Sequence, residues 1–208
     1  MGFQSPPMPP QNPTANPAPP ATPREFKIAL RAEVRARLEK LDGIAKKSAK
    51  LCDAIADDLA WRRAITVALY APMEREPNVE LLWEHAAGKI LAYPLIRMGG
   101  LDFVSVSHPE SLVIGQFGIR EPILDSTRVI PPTEFDLILC PGVAFTADGR
   151  RLGRGGGFYD RLLATPGLRA VNLGVCFAVQ ILKDVVTEPH DQPVHRVVTE
   201  KGFCTPPR

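Results

Sequence analysis

The chain has 208 residues, 45% of them hydrophobic, and sets 25 Lys and Arg against 23 Asp and Glu for a formal net charge of +2. That length and apolar content support one substantial core, so a single domain is expected. The near-balanced charge excludes the broad positive field that draws a protein to nucleic acid or an anionic membrane, and any anion must be captured by a local group of residues.

Residues 1–23 hold nine of the 22 prolines among Asn, Thr, Ala and Gln. Such a composition buries too little apolar surface to offset ordering entropy, and a disordered tail is expected there, with one domain over 24–208. No basic and apolar leader opens the chain and no run of eighteen apolar residues follows, which leaves the cytoplasm as the expected compartment. Cys52, Cys140, Cys176 and Cys204 lack the close pairing of a zinc site or a redox pair, and reduced, mostly buried thiols are expected.

From Arg24 onward Phe26, Leu30, Val34, Leu38 and Leu41 recur at helical spacing, predicting an amphipathic helix that ends near Gly43. A second helix is predicted over 47–63, with Leu51, Ile55 and Leu59 on its apolar side. The run Ala64–Tyr70 reads as a buried strand. Asn78 can cap a helix through Leu81, Leu82 and Trp83 that stops at Gly88, and Lys89–Pro94 reads as the next strand. A further strand is predicted at Leu101, Phe103 and Val104, then a loop with Gly115, Gly118 and Pro122. Phe135–Cys140 is the clearest central strand. A glycine-rich loop follows, then a helix over Phe158–Leu163, a strand over Ala170–Cys176, a helix over Val179–Lys183 and a last strand over His195–Thr199. Alternating strands and helices predict an α/β domain with a mostly parallel sheet, whose ligands sit beyond the carboxyl ends of the strands. The loop after Cys140 falls at such an end.

That loop, Pro141–Leu163, sets Gly149, Gly153, Gly155, Gly156 and Gly157 beside Arg150, Arg151 and Arg154, and closes with Tyr159, Asp160 and Arg161. Successive glycines let backbone N–H groups converge on an anion, and the helix that follows adds the positive end of its dipole. Guanidinium groups supply bidentate donors to phosphate oxygens. An acid at the helix start repels bare phosphate but suits phosphate accompanied by Mg²⁺, so Asp160 points to a metal nucleotide. The competing reading is a flexible surface hairpin. No Gly-Lys-Ser/Thr ends the loop, and Phe158 stands where a dinucleotide fingerprint needs its third glycine.

The run PG-x-AF-x-x-x-G-x-RLG-x-GGG-F-YDR-x-L resembles the signature of the 5-formyltetrahydrofolate cyclo-ligase family, also called methenyltetrahydrofolate synthetases. Other landmarks keep the family's order: Lys27, Leu30 and Arg31 as K-x-x-L-R, Tyr70 followed by Glu76, Gly118–Pro122 as G-x-R-E-P, and Glu188–Asp191 as E-P-H-D. The resemblance implies a three-layer α/β/α sandwich like that of the ribose-phosphate isomerase and CoA-transferase superfamily. It also implies ATP and Mg²⁺ as cofactors and conversion of 5-formyltetrahydrofolate to 5,10-methenyltetrahydrofolate, with release of ADP and phosphate through a phosphorylated formyl group.

By the same resemblance Lys27 and Arg31, one helical turn apart, reach the nucleotide phosphates; unaided, the pair reads rather as a solvated helix face. Arg151, Leu152, Gly153, Arg154, Gly155, Gly156 and Gly157 form the phosphate-binding run and continue into Phe158 and Tyr159, while Arg150 is expected to be exposed. Asp160 and Asp191 match the metal positions. Tyr159 and Phe158 match an aromatic pair near the pterin and formyl group, with Phe158 lacking a hydroxyl that many relatives carry; Tyr159 and Arg151 are the expected catalytic residues. Glu76 matches the carboxylate that accepts from the pterin's N–H groups, with Glu74 as its rival, and Met73 is placed beside it. Leu81 and Trp83 either wall the folate site or belong to the core. Arg120 is a candidate anion ligand or a solvated cation. No role is assigned to Glu121, and no proton transfer to His190. The expected partners are the two small molecules alone, the chain acting as a monomer. The alternative is an ATP-binding paralogue that acts on a different substrate.

Overall fold

A computed structural model describes residues 22–205. The expected disorder of the tail therefore falls, up to residue 21, outside the described residues. Thr22 and Pro23 already belong to the first helix, α1 (Pro23–Glu39). The Thr22 hydroxyl accepts from the Glu25 N–H while the Glu25 carboxylate accepts from the Thr22 N–H, a reciprocal cap, and Pro23 takes the first helical position, where no N–H is needed.

The predicted second helix is two, α2 (Ile44–Asp57) and α3 (Leu59–Arg63), because Asp58 is extended and uses its carboxylate to cap α3 at the Ala60 N–H, 3.0 Å away. After β1 (Thr66–Ala68), Asn78 caps as predicted, but the turn it opens, Val79–His85, is a 3₁₀-helix. Strand β2 (Ile90–Arg97) runs past Pro94 into a hairpin with β3 (Gly100–Ser105), through Met98 and Gly99, both at positive φ. Two-residue turns of that hand match the strand twist.

Next come β4 (Val113–Ile114) and β5 (Arg120–Glu121), which pair with each other, then β6 (Val129–Ile130) and β7 (Leu137–Pro141). The glycine-rich segment begins as a hairpin of β8 (Ala144–Thr146) and β9 (Arg151–Leu152), and α4 (Phe158–Leu163) has the predicted limits. Beyond β10 (Val171–Val175), the helix predicted over Val179–Lys183 is instead a short 3₁₀ turn followed by β11 (Ile181–Leu182), since Ile181 pairs with Phe145 of β8. Strands β12 (Arg196–Thr199) and β13 (Gly202–Phe203) end the described chain.

The main sheet has eight strands in the order β13-β12-β10-β7-β1-β2-β3-β6. Its interior from β12 to β2 is parallel, and β13, β3 and β6 are antiparallel at the margins. This is the predicted mixed α/β fold. Alternate side chains of the strands feed two cores. Val67, Leu69, Leu137, Leu139 and Leu173 meet Leu51 and Ile55 of α2, whereas Ala68, Ile138 and Cys140 meet Phe145 and Leu162. The second outer layer thus mixes α4 with a small sheet, β11-β8-β9. Helix α1 lies on that small sheet through Val34, against Ala144 and Leu152.

Phe145 locks the small sheet onto the large one. Its buried ring sits where a Cβ on Gly174 would be 2.6 Å away and one on Gly142 would be 2.7 Å away. Gly174→Ala is therefore expected to destabilise the fold by about 1–3 kcal/mol through overpacking, read as a lower urea midpoint at unchanged slope. Cys52, Cys140 and Cys176 are buried and unpaired, as predicted for reduced thiols.

Candidate active site

The carboxyl ends of β1 and β7 open onto one cleft, bordered by Tyr70, Ala71, Pro141 and Gly142. The parallel strand order places the cleft where the sequence pattern predicted it. Its lining is polar at Arg151, Gly153, Arg154, Gly156, Gly157 and Asp160 and apolar at Pro94, Ile96, Leu101 and Ile119, and it includes Met73, Glu76, Glu121, Phe158 and Tyr159.

At the polar end Arg151 is 5% exposed and its Nη2 donates to Asp160 Oδ1 at 2.6 Å. Its side chain passes over two glycines, since a Cβ on Gly142 would meet its Cγ at 3.2 Å and one on Gly153 its Nη1 at 3.0 Å. Arg151 Nε is buried with no hydrogen-bond partner. Asp160 Oδ1 also accepts from the Gln192 N–H at 3.2 Å, which brings the turn carrying Asp191 beside it. Gly155 and Gly157 adopt positive φ, so the loop's path depends on their lacking a side chain. Helix α4 has only six residues, and the dipole invoked from the sequence is correspondingly small. The groups here that could meet an anion are therefore guanidinium and amide groups rather than a helix dipole.

Helix α1 braces both sides of this end. Arg31 Nε donates to the Gly153 carbonyl at 2.9 Å, and its guanidinium lies against Gly155. Lys27, 8% exposed, donates to Asp191 at 2.6 Å and to Glu188 at 2.7 Å. Burial alone raises the Asp191 pKa, but the Lys27 hydrogen bond and the Glu188 N–H outweigh it and hold the carboxyl below the usual range. In the described chain, then, Lys27 grips the E-P-H-D turn while Arg31 grips the glycine loop, both from outside the cleft lining. Leu152 has no place in the cleft either; it is buried against Val34. Arg150 is half-exposed and bonded to Asp148 and Asp184, away from the cleft.

Glu76 and Arg154, expected to serve different ligands, are joined: Arg154 Nη2 and Nε donate to Glu76 Oε1 at 2.7 and 3.2 Å. The other Glu76 oxygen accepts from the Met73 N–H at 3.0 Å. Glu74 is exposed and outside the lining, whereas Glu76 is buried and lines the cleft. The Tyr159 hydroxyl is buried without a partner, and burial, followed by the nearby Cys140 and Glu76, pushes its pKa well above the usual value. A phenol so placed donates a hydrogen bond and stays protonated at neutral pH. Trp83 donates to Tyr93 and stacks on His108, and with Leu81 it packs on the core. Arg120 pairs with Glu80 at 2.7 Å.

Residues 23–200 match the model of the 5-formyltetrahydrofolate cyclo-ligase family. The chain belongs to that family. It is an enzyme of the ligase class, and the signature read from the loop is thereby borne out. It is 35% identical over 146 residues to a 5-formyltetrahydrofolate cyclo-ligase of Escherichia coli K12, covering 68% of this chain and 79% of the relative. A probable 5-formyltetrahydrofolate cyclo-ligase of Schizosaccharomyces pombe is 30% identical over 192 residues, covering 83% and 94%. An NMR structure of a 5,10-methenyltetrahydrofolate synthetase from Aquifex aeolicus superposes with a TM-score of 0.74 at 31% identity, over 86% of this chain and 91% of that one.

The residues present suit a magnesium nucleotide. Asp160 keeps Oδ2 free of hydrogen bonds among the described residues, as Asp191 keeps Oδ1. Glu188, His190 and Asp191 each offer a ligand atom within 4.8 Å of the others. Magnesium needs few carboxylates, because phosphate and water complete its octahedron. The orphaned Nε of Arg151 is a donor still to be satisfied, as a phosphate oxygen can do.

The apolar wall of Pro94, Ile96, Leu101 and Ile119 had no signal in the sequence beyond strand patterning. The Glu76–Arg154 pair spans 78 positions and had none.

Proposed function

We propose that this enzyme uses Mg-ATP to convert 5-formyltetrahydrofolate to 5,10-methenyltetrahydrofolate, ADP and phosphate. The carrying observation is one cleft lined both by a buried guanidinium and a glycine loop and by an apolar wall with the carboxylates Glu76 and Glu121. In this reading Arg151, Arg154 and the amides of Gly153–Gly157 hold the triphosphate, Lys27 and Arg31 fix the E-P-H-D turn and the glycine loop around it, and Asp160 and Asp191 hold its cation. The metal, when bound, neutralises charge on the transferred phosphoryl group. Glu76 accepts from the reduced pterin, Met73 and Phe158 pack beside it, and the free Tyr159 hydroxyl donates to the formyl oxygen.

The formyl oxygen attacks the γ-phosphorus, and ADP leaves. The substrate becomes an N5-iminium phosphate, N10 attacks its carbon and gives up its proton to solvent, and phosphate departs as the five-membered ring closes to the methenyl cation. Arg151 stays with the phosphoryl group throughout, positioned by Asp160. For such transfers protein catalysis is mostly positioning and charge stabilisation. Arg154 and Glu76 face each other at 2.7 Å, so phosphate and pterin each compete with this ion pair as the cleft fills.

The proposed enzyme acts as a monomer on small molecules, without nucleic acid. Four unpaired thiols fit a cytoplasmic location, and none of the described helices is long and apolar enough to cross a membrane. Formation of methenyltetrahydrofolate, followed by its absorbance, is expected only with folate, ATP and Mg²⁺ together. Nucleotide binding without product favours the paralogue with a different substrate.

A further inference from the structure

Glu121 is a buried acid that the reaction as described leaves unused. It is 4% exposed, it lines the cleft, and its Oε1 is buried with no hydrogen-bond partner. The space it occupies is built for it. A Cβ on Gly115 would come within 2.4 Å of Glu121 Oε2 and 2.5 Å of its Cδ, so the carboxylate rests directly on the backbone of a glycine. Burial raises its pKa, while the backbone at Gln116 and Ile96 acts the other way.

A buried acceptor left open is costly, and native proteins retain one where a ligand satisfies it. Both oxygens of Glu76 are already engaged, one by Arg154 and one by the Met73 N–H. Glu121 therefore offers an open acceptor in a part of the cleft lined also by the apolar side chains of Ile96 and Ile119. The group that fits is a neutral heteroaromatic carrying an N–H donor on its edge, not a phosphate, which a carboxylate repels.

We propose that Glu121 is a specificity-determining residue whose Oε1 accepts from the exocyclic 2-amino group of the reduced pterin. This rests on the folate reading above. The test compares 5-formyltetrahydrofolate with its 2-desamino-2-methyl analogue, in wild type and in Glu121→Gln, under saturating Mg-ATP. Wild type is expected to show a KM about tenfold or more higher for the analogue, the loss typical of one hydrogen bond to a charged acceptor. Glu121→Gln is expected to raise KM for the natural substrate to a similar degree, to lose most of the discrimination, and to leave the KM for ATP unchanged. A purely structural Glu121 does not erase discrimination between two substrates that differ only at that amino group. Should Glu121→Gln fail to fold, Glu121→Asp keeps the charge, withdraws the carboxylate by one methylene and carries the same comparison. Full discrimination in a folded variant overturns the proposal, as does equal KM for both compounds in wild type. A wild type that forms no methenyl product at all instead overturns the folate reading itself.

Discussion

Arg151→Ala lowers turnover about 100- to 1000-fold, the loss expected when one donor aimed at developing charge is removed. The same change strands Asp160, which is left with only the Gln192 N–H, and costs about 3 kcal/mol of stability. The two effects separate in a double variant. Arg151→Ala with Asp160→Asn removes the stranded charge, so stability recovers part of its loss while turnover stays low. Steady-state rates and urea midpoints on the three proteins check this, and a double variant that is folded and near-normal in rate removes Arg151 from the reaction.

Glu76→Gln is expected to lower kcat/KM for 5-formyltetrahydrofolate about 10- to 100-fold, the range for losing a hydrogen bond to a charged group. The KM for ATP should stay the same or fall. That sign follows from the pairing of Glu76 with Arg154: weakening it frees the guanidinium, so phosphate no longer competes with a carboxylate for it. A simple loss of folding lowers the apparent kcat and leaves both KM values unchanged. An increase confined to the KM for ATP assigns Glu76 to the nucleotide end and contradicts its placement beside the pterin.

The strands were legible where burial is two-sided, as in Phe135–Cys140, and α4 was legible to the residue because glycine stops on one side and apolar spacing resumes on the other. Asp58 was not read as a break, since an Asp within an apolar pattern looks like a helix surface until its carboxylate is seen to cap the next turn. The strand at Ile181–Leu182 is not legible as one because two or three apolar residues carry no period, and only Phe145, 36 positions earlier, decides their state. At the site, the motif located the glycine loop and the acids but not their partners. Lys27 and Arg31 share a helix face as expected, yet they hold the E-P-H-D turn and the Gly153 carbonyl, contacts set by tertiary packing across more than a hundred positions. Glu121 was visible as a residue and opaque as a role, because an unsatisfied oxygen is a property of the folded cleft.

The cleft is read as setting the γ-phosphoryl group of ATP against the formyl oxygen of the folate. Substrate labelled with ¹⁸O at that oxygen tests this directly, by mass analysis of the inorganic phosphate released during a single turnover. Transfer predicts one ¹⁸O in every phosphate formed. Phosphate free of label, accompanying methenyl product, means that ATP is cleaved without meeting the formyl group and contradicts the proposed chemistry.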